Sequence, residues 1–347
     1  MSSNRRLAIF AVALLALAAT PDPADAQLPI RNWGYQLQGF DLAALRDSMF
    51  DVLVIDYSTT GGAGGELTAA QVRDLRENGP CGERIVLAYF SVGEAENYRY
   101  YFDADWLGPN DQLTPGAPAW LGPANPDWEG NYKVRYWHRA WQRQLWGTRG
   151  GDAKSYLDRI IDAGFDGVYL DIVDAFEYWG PRENGGTDEN RKAAPAMIKF
   201  VQRLAKYARR KRSAAGFFVV PQNGAGLIAE WSYPDSPQPE KAAMKQRRRY
   251  FKVISAIGTE DTFFVGNRNE DNPYRPQEGL LPLLQQFVAA GKSVLAVEYL
   301  TKAPAIDRFW DEAVTAGFVP YVARRDLDRL TIPAGHPPEC RVDGGMP

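Results

Sequence analysis

The 347-residue chain has two cysteines, two histidines and no excess of positive charge. Each scarcity closes off a class of chemistry. His138 and His336 fall outside the ends of the predicted strands, which argues against a Ser-His-Asp triad or a His-rich zinc site. Cys81 and Cys340 lie far apart and away from any catalytic-type histidine, so thiol catalysis is not expected. In an oxidising compartment the two could instead tie the C-terminal tail to the body. Lys and Arg number 40 against 43 Asp and Glu, a net charge of −3, which argues against a nucleic-acid or anionic-membrane partner. The short run Lys245, Arg247, Arg248, Arg249 reads as the solvated face of a helix. No Gly-x-Gly-x-x-Gly follows the first strand, and no cofactor is predicted.

Long apolar runs are missing too. The longest, 7–19, follows Arg5 and Arg6 and precedes Ala24-Asp25-Ala26, a small-x-small cleavage site. It is too short to span a bilayer comfortably. Residues 1–26 therefore read as a signal peptide, and 27–347 as a mature secreted or periplasmic protein.

What remains is an alternation of short β-rich runs with helical stretches. The runs are 33–37, 52–57, 85–90, 167–171, 217–222, 253–258, 293–299 and 318–322. Helix-like stretches include 68–77, 153–163, 194–211, 279–290 and 305–316. Near-continuous apolar strands between amphipathic helices mark a parallel sheet covered on both faces. Eight such units predict a single α/β domain, a (β/α)8 barrel. Ala163-Gly164-Phe165 and Ala316-Gly317-Phe318 read as helix stops, with glycine left-handed and phenylalanine re-entering the core. One segment departs from the rhythm, 94–151 between the third and fourth strands. It is rich in aromatics from Tyr98 to Trp146, most of which would pack the insertion itself while the rest offer faces for sugar rings.

Acids or amides recur where strands end. Asp56 and Tyr57 close the second, Glu94 follows the third, Asp171 and Asp174 the fourth, Asn223 the fifth, Glu260 and Asp261 the sixth, and Glu298 lies near the end of the seventh. Residues after strands of a barrel project into one mouth, where such folds place their chemistry. A carboxylate ring with abundant aromatics suits glycoside hydrolysis, in which one acid protonates the leaving oxygen and a second carboxylate attacks or activates water. A carboxylate-bound metal hydrolase and a non-catalytic glycan-binding barrel are the alternatives.

The phrase Asp166-Gly167-Val168-Tyr169-Leu170-Asp171, introduced by Ile160-Ile161-Asp162-Ala163-Gly164-Phe165, resembles the fourth-strand signature of glycoside hydrolase family 114. That is the endo-α-1,4-polygalactosaminidase-like group of TIM barrels. Trp33-Gly34-Tyr35-Gln36-Leu37-Gln38, the stretch from Ala88 to Glu96 and that from Trp128 to Trp141 fit the same family. The resemblance implies Asp171 as nucleophile and a sixth-strand acid as acid/base, with Glu260 preferred over Asp261 for its longer reach. It implies Asp56, Tyr57, Glu94, Asp174, Asn223 and Glu298 as substrate-binding residues. The implied substrate is an amino-sugar polysaccharide, in part cationic, which an acidic mouth would attract.

Overall fold

Runs such as Val52-Leu53-Val54-Ile55 have no polar face, so they are stable as strands only where both faces are covered. The computed structural model describes residues 30–147, 154–211 and 216–340, and the signal-peptide reading lies outside them. In chain order the strands are β1 (Trp33–Gln36), β2 (Val52–Ile55), β3 (Ile85–Ser91), β4 (Glu94–Glu96), β5 (Leu121–Ala124), β6 (Asn131–Val134), β7 (Gly167–Asp171), β8 (Phe218–Pro221), β9 (Ala256–Glu260), β10 (Ser293–Tyr299) and β11 (Val319–Ala323). The helices are α1 (Leu42–Arg46), α2 (Ala69–Glu77), α3 (Arg139–Leu145), α4 (Tyr156–Asp162), α5 (Ala175–Trp179), α6 (Ala193–Lys206), α7 (Pro239–Phe251), α8 (Leu281–Ala289) and α9 (Ala303–Thr315).

Five parallel strands run in the order β1-β2-β3-β7-β8, and three more in the order β11-β10-β9. A parallel bridge from Gln222 to Gly258 joins the two sheets at one seam. At the other, Trp33 Nε1 donates to the Val319 carbonyl at 3.0 Å, and its ring lies 5.4 Å from that of Tyr321. The molecule is thus α/β with parallel sheets. Amphipathic helices cover it; α6 turns Met197, Ile198, Val201 and Leu204 inward, the spacing of one helical face. Both glycine stops form as expected. Gly164 and Gly317 are left-handed, and the amides of Phe165 and Phe318 reach back to Ile160 and Ala313.

One strand begins later than the sequence suggests. Val253 and Ile254 both donate to the Tyr250 carbonyl and close the turn after α7, and Ser255 is the first to bond β8 through Val219. The sixth parallel strand is therefore Ala256–Glu260 rather than 253–258. Helices α1, α3 and α5 are additions, each of five to seven residues and too short for a clear periodicity.

Between β3 and β7 lies an antiparallel sheet, ordered β4-β6-β5. Its aromatics mostly face inward: Trp120, Tyr101 and Trp141 pack on one another, and Trp141 Nε1 donates to the Val92 carbonyl. Only Tyr98 and Trp128 of this segment are broadly exposed large rings. A disulfide links Cys81 to Cys340 across 259 positions of sequence. Closing so long a loop restricts the unfolded chain and stabilises the fold by roughly 5 kcal/mol in the chain-entropy model.

Candidate active site

Strand pleating decides which strand-end residues can meet. Partners in a parallel register point to the same face, and successive residues alternate. Tyr35 pairs with Val54, Val54 with Leu87, and Tyr89 with Tyr169. Gly258 in turn pairs with Leu295, and Glu260 with Val297. Trp33, Tyr35 and Tyr169 contact one another ring to ring, and the Tyr169 hydroxyl lies against Gly258 of the other sheet. These contacts identify the inner face. On the same parity, at the C-terminal ends, stand Tyr89, Asp171, Glu260 and Tyr299.

Asp171 ends β7 and is half-buried. Its Oδ2 accepts from the Tyr89 hydroxyl at 2.7 Å, and its Oδ1 from the Ile172 amide at 2.8 Å. Ile172 is left-handed, with φ of 56°, an uncommon conformation for a β-branched residue that turns the chain sharply after the acid. Burial first, and then the charge of Glu260, push the Asp171 carboxyl up to about 7, while the Tyr89 hydroxyl and the Ile172 amide pull the other way.

Glu260 ends β9. Its Oε1 accepts from Asn223 Nδ2 at 2.8 Å and its Oε2 from the Tyr299 hydroxyl at 2.6 Å, with Arg325 Nη1 at 3.9 Å. Asn223, left-handed after β8, also accepts from the Glu260 amide, so the two residues fix each other. The neighbouring Asp261 is engaged differently. Both its oxygens lie 2.9 Å from Arg325 Nη2, and the Arg325 guanidinium covers the Tyr299 ring. Asp174 opens α5 as a half-buried carboxyl with no side-chain capping bond. Burial above all, then Asp171, Glu177 and Glu260, hold it well above the usual carboxylate range.

The other expected binding residues are buried, and Asp56 and Glu94 are already engaged. Asp56 receives a two-pronged bond from Arg99, at 2.9 and 2.7 Å, and a third from the Ser58 amide. Arg99, fully buried, also bonds Glu96. Tyr57 is buried beside it, its ring against Tyr156. Glu94 is buried and accepts from Asn125, Asn131 and Lys133 of the small sheet. Glu298 has the wrong parity for the inner face. It is fully buried, accepts from the Phe263 amide at 2.7 Å, and is pushed up by burial to about 8.

Sequence reasoning missed Tyr89, Tyr299, Arg325 and Arg99. The first two carry a readable signal, since each sits on the inner parity of a strand whose end already carries candidate residues. The arginines carry none, because each comes from a loop remote in sequence from the aspartate it binds. Among the described residues, no group of three or more His, Cys, Asp or Glu is arranged to hold a metal ion.

A model of glycoside-hydrolase family GH114 matches residues 16–336. A protein of Methanocaldococcus jannaschii, itself uncharacterised, is 35% identical over 307 residues, covering 86% of this chain and 77% of its own. An uncharacterised protein of Thermotoga maritima is 32% identical over 327 residues, 91% of this chain and 88% of its own. Among solved structures, trehalose-6-phosphate hydrolase of Bacillus licheniformis matches with a TM-score of 0.42 and 12% identity, over 77% of this chain and 56% of that one. The catalytic domain of β-amylase from Paenibacillus polymyxa gives 0.42 and 9%, over 86% and 94%. Likeness this remote does not bear on chemistry.

Proposed function

The chain belongs to glycoside-hydrolase family GH114, and on that premise we propose that it is an exported endo-glycosidase cleaving α-1,4-linked galactosamine-type polysaccharide with Asp171 and Glu260 as its two carboxylates. The eight parallel strands are read as a closed barrel, with the segment between β3 and β7 inserted at the rim. The observation that carries the proposal is the electrostatic coupling of Asp171 to Glu260 on one inner face, each acid held by a tyrosine hydroxyl. Cleavage needs one carboxyl that gives a proton to the leaving oxygen and one carboxylate that attacks the anomeric carbon or deprotonates water. Asp174, lacking a capping bond, would meet an ammonium or hydroxyl group of the sugar, and exposed Trp128 would stack on a ring.

Two assignments of roles compete. The family resemblance makes Asp171 the nucleophile. The free protein favours the reverse, because burial and the nearby charge of Glu260 raise the Asp171 carboxyl to about 7, as suits a proton donor. Substrates with an activated aryl leaving group separate them. The variant lacking the acid regains turnover on such a substrate, and the variant lacking the nucleophile does not.

The decisive experiment incubates the purified protein with partly deacetylated galactosamine polymer and counts new reducing ends. Chain cleavage by the wild type and none by Asp171→Asn is the expected result. Undiminished cleavage by that variant would overturn the site. Loss of activity with chelator, restored by Mg²⁺, Ca²⁺ or Mn²⁺, would instead favour a metal-dependent hydrolase.

A further inference from the structure

Away from the acidic inner face, α3 and the end of α6 border an open cleft of about 560 Å³. Arg139 and Arg143 line it from α3; Arg203, Lys206 and Arg210 line it from α6 and the wide turn Tyr207–Lys211 that continues it. Among the described residues no carboxylate lines the cleft. Arg139, Arg143, Lys206 and Arg210 make no ion pair among the described residues. Arg203 is held only by the amide oxygen of Gln142, at 3.3 Å. Gln142 is itself buried and anchored to the Tyr136 carbonyl. By contrast Arg191, half-buried elsewhere on the protein, is matched by Glu183, Asp188 and Asp235. On a chain of net charge −3, five exposed cations thus gather here with no acid among the described residues that line the cleft, a surface that suits an anion.

The cleft also has ring walls. Trp146 is half-buried and fixed edge-on against Phe200 at 4.8 Å, and Tyr207 is tethered by its hydroxyl to Asp158 at 2.8 Å. Planar guanidinium groups match carboxylate, sulfate and phosphate oxygens, and aromatic faces match sugar rings. The volume is that of a site for a small molecule or a few sugar units.

We infer that this cleft binds an anionic oligosaccharide, one bearing carboxylate, sulfate or phosphate groups, as an accessory site apart from the catalytic face. The sugar half of the inference rests on the glycosidase reading, and the anion half on the unpaired cations. It would hold the enzyme on a mixed or acidic glycan matrix while the acidic mouth works on amino-sugar chains.

Calorimetric titration of the full-length protein at about 50 mM salt tests this with four probes: a heparin-derived hexasaccharide, inorganic phosphate, neutral chitohexaose and phosphatidylglycerol vesicles. The hexasaccharide is expected to bind, and to bind at least about tenfold more weakly to the Arg143→Glu/Arg210→Glu variant, since two charge-assisted contacts are lost. Trp146→Ala should weaken it about threefold to tenfold. Catalytic activity of the double variant on a soluble substrate should be unchanged. Equal binding to wild type and double variant would overturn the site, and Arg143→Gln/Arg210→Gln, which reverses no charge, serves the same purpose should the first variant misfold. Phosphate binding as tightly as the hexasaccharide, or chitohexaose doing so, would refute the anionic glycan. Binding of acidic lipid vesicles without binding of the hexasaccharide would refute it in favour of a membrane. A protein that binds the hexasaccharide through these arginines yet cleaves no glycan would sink the glycosidase reading and leave the cleft standing.

Discussion

Two sets of carboxylates lie near strand ends, and the molecule treats them in opposite ways. Asp56 and Glu96 are buried around Arg99, which holds both through four hydrogen bonds. Asp171 and Glu260 face each other's charge with hydroxyl and amide donors in place of a central cation, and Arg325 is no nearer to Glu260 than 3.9 Å. The first arrangement uses its charges to fix a loop. The second leaves a proton whose position is sensitive to whatever enters the site. Acid residues at strand ends are therefore not one class, and the partner decides which kind each is.

The largest effect that could break this contrast is catalytic. Asp171→Asn should lower turnover at least about a thousandfold, as loss of a reacting group does, without loss of fold. Its stability carries a sign as well. An acid whose folded pKa is raised costs stability as pH climbs from its unfolded value, near 4, through about 7. Asp171→Asn should thus melt above wild type at pH 8 and level with it at pH 3; a variant that melts lower at pH 8 would contradict the electrostatic picture.

Arg99→Met should act on stability, by about 3–5 kcal/mol in urea unfolding, because two buried carboxylates lose their partner. If it costs less than about 1 kcal/mol, the cluster is not a structural lock. In a carboxyl NMR titration of Asp171, the midpoint near 7 should move to lower pH in Asp261→Asn less than in Glu260→Gln, since Glu260 is the main charge acting on Asp171. The smallest effect is expected at Glu298. Glu298→Gln should stay within about 1 kcal/mol of wild type, being nearly isosteric with a carboxyl already neutral at pH 7, whereas Glu298→Ala should cost about 1–3 kcal/mol by freeing the Phe263 amide.

Much of the frame was legible because it follows from local pattern. Val52–Ile55 and Ser293–Tyr299 could only be buried strands, and the glycine stops at 164 and 317 behaved as their neighbours required. The site was legible to the extent that parity was applied. Glu298 and Tyr299 are adjacent, yet alternation sends only the tyrosine inward, so counting in twos along each strand would have exchanged one for the other. What no local rule supplies is capture by a distant side chain. Asp56 reads as a free acid until Arg99 reaches it from another loop, and Asp261 until Arg325 does. The cationic cleft was hidden for the same reason. The basic run singled out from the sequence lies on α7, whereas the cleft takes Arg210 from the run 209–212 and its other cations from two helices separated by β7.

The Cys81–Cys340 bond also has a mechanical meaning. If the protein is pulled from its two ends, tension passes from position 340 straight across to 81. Only the residues before Cys81 and after Cys340 can be extended. Asp171, Glu260 and every strand from β3 to β11 lie within the unloaded loop. Under traction β1, β2 and α2 would peel away first and the contour gained would stop short, until a reductant releases the remaining 259 positions at once.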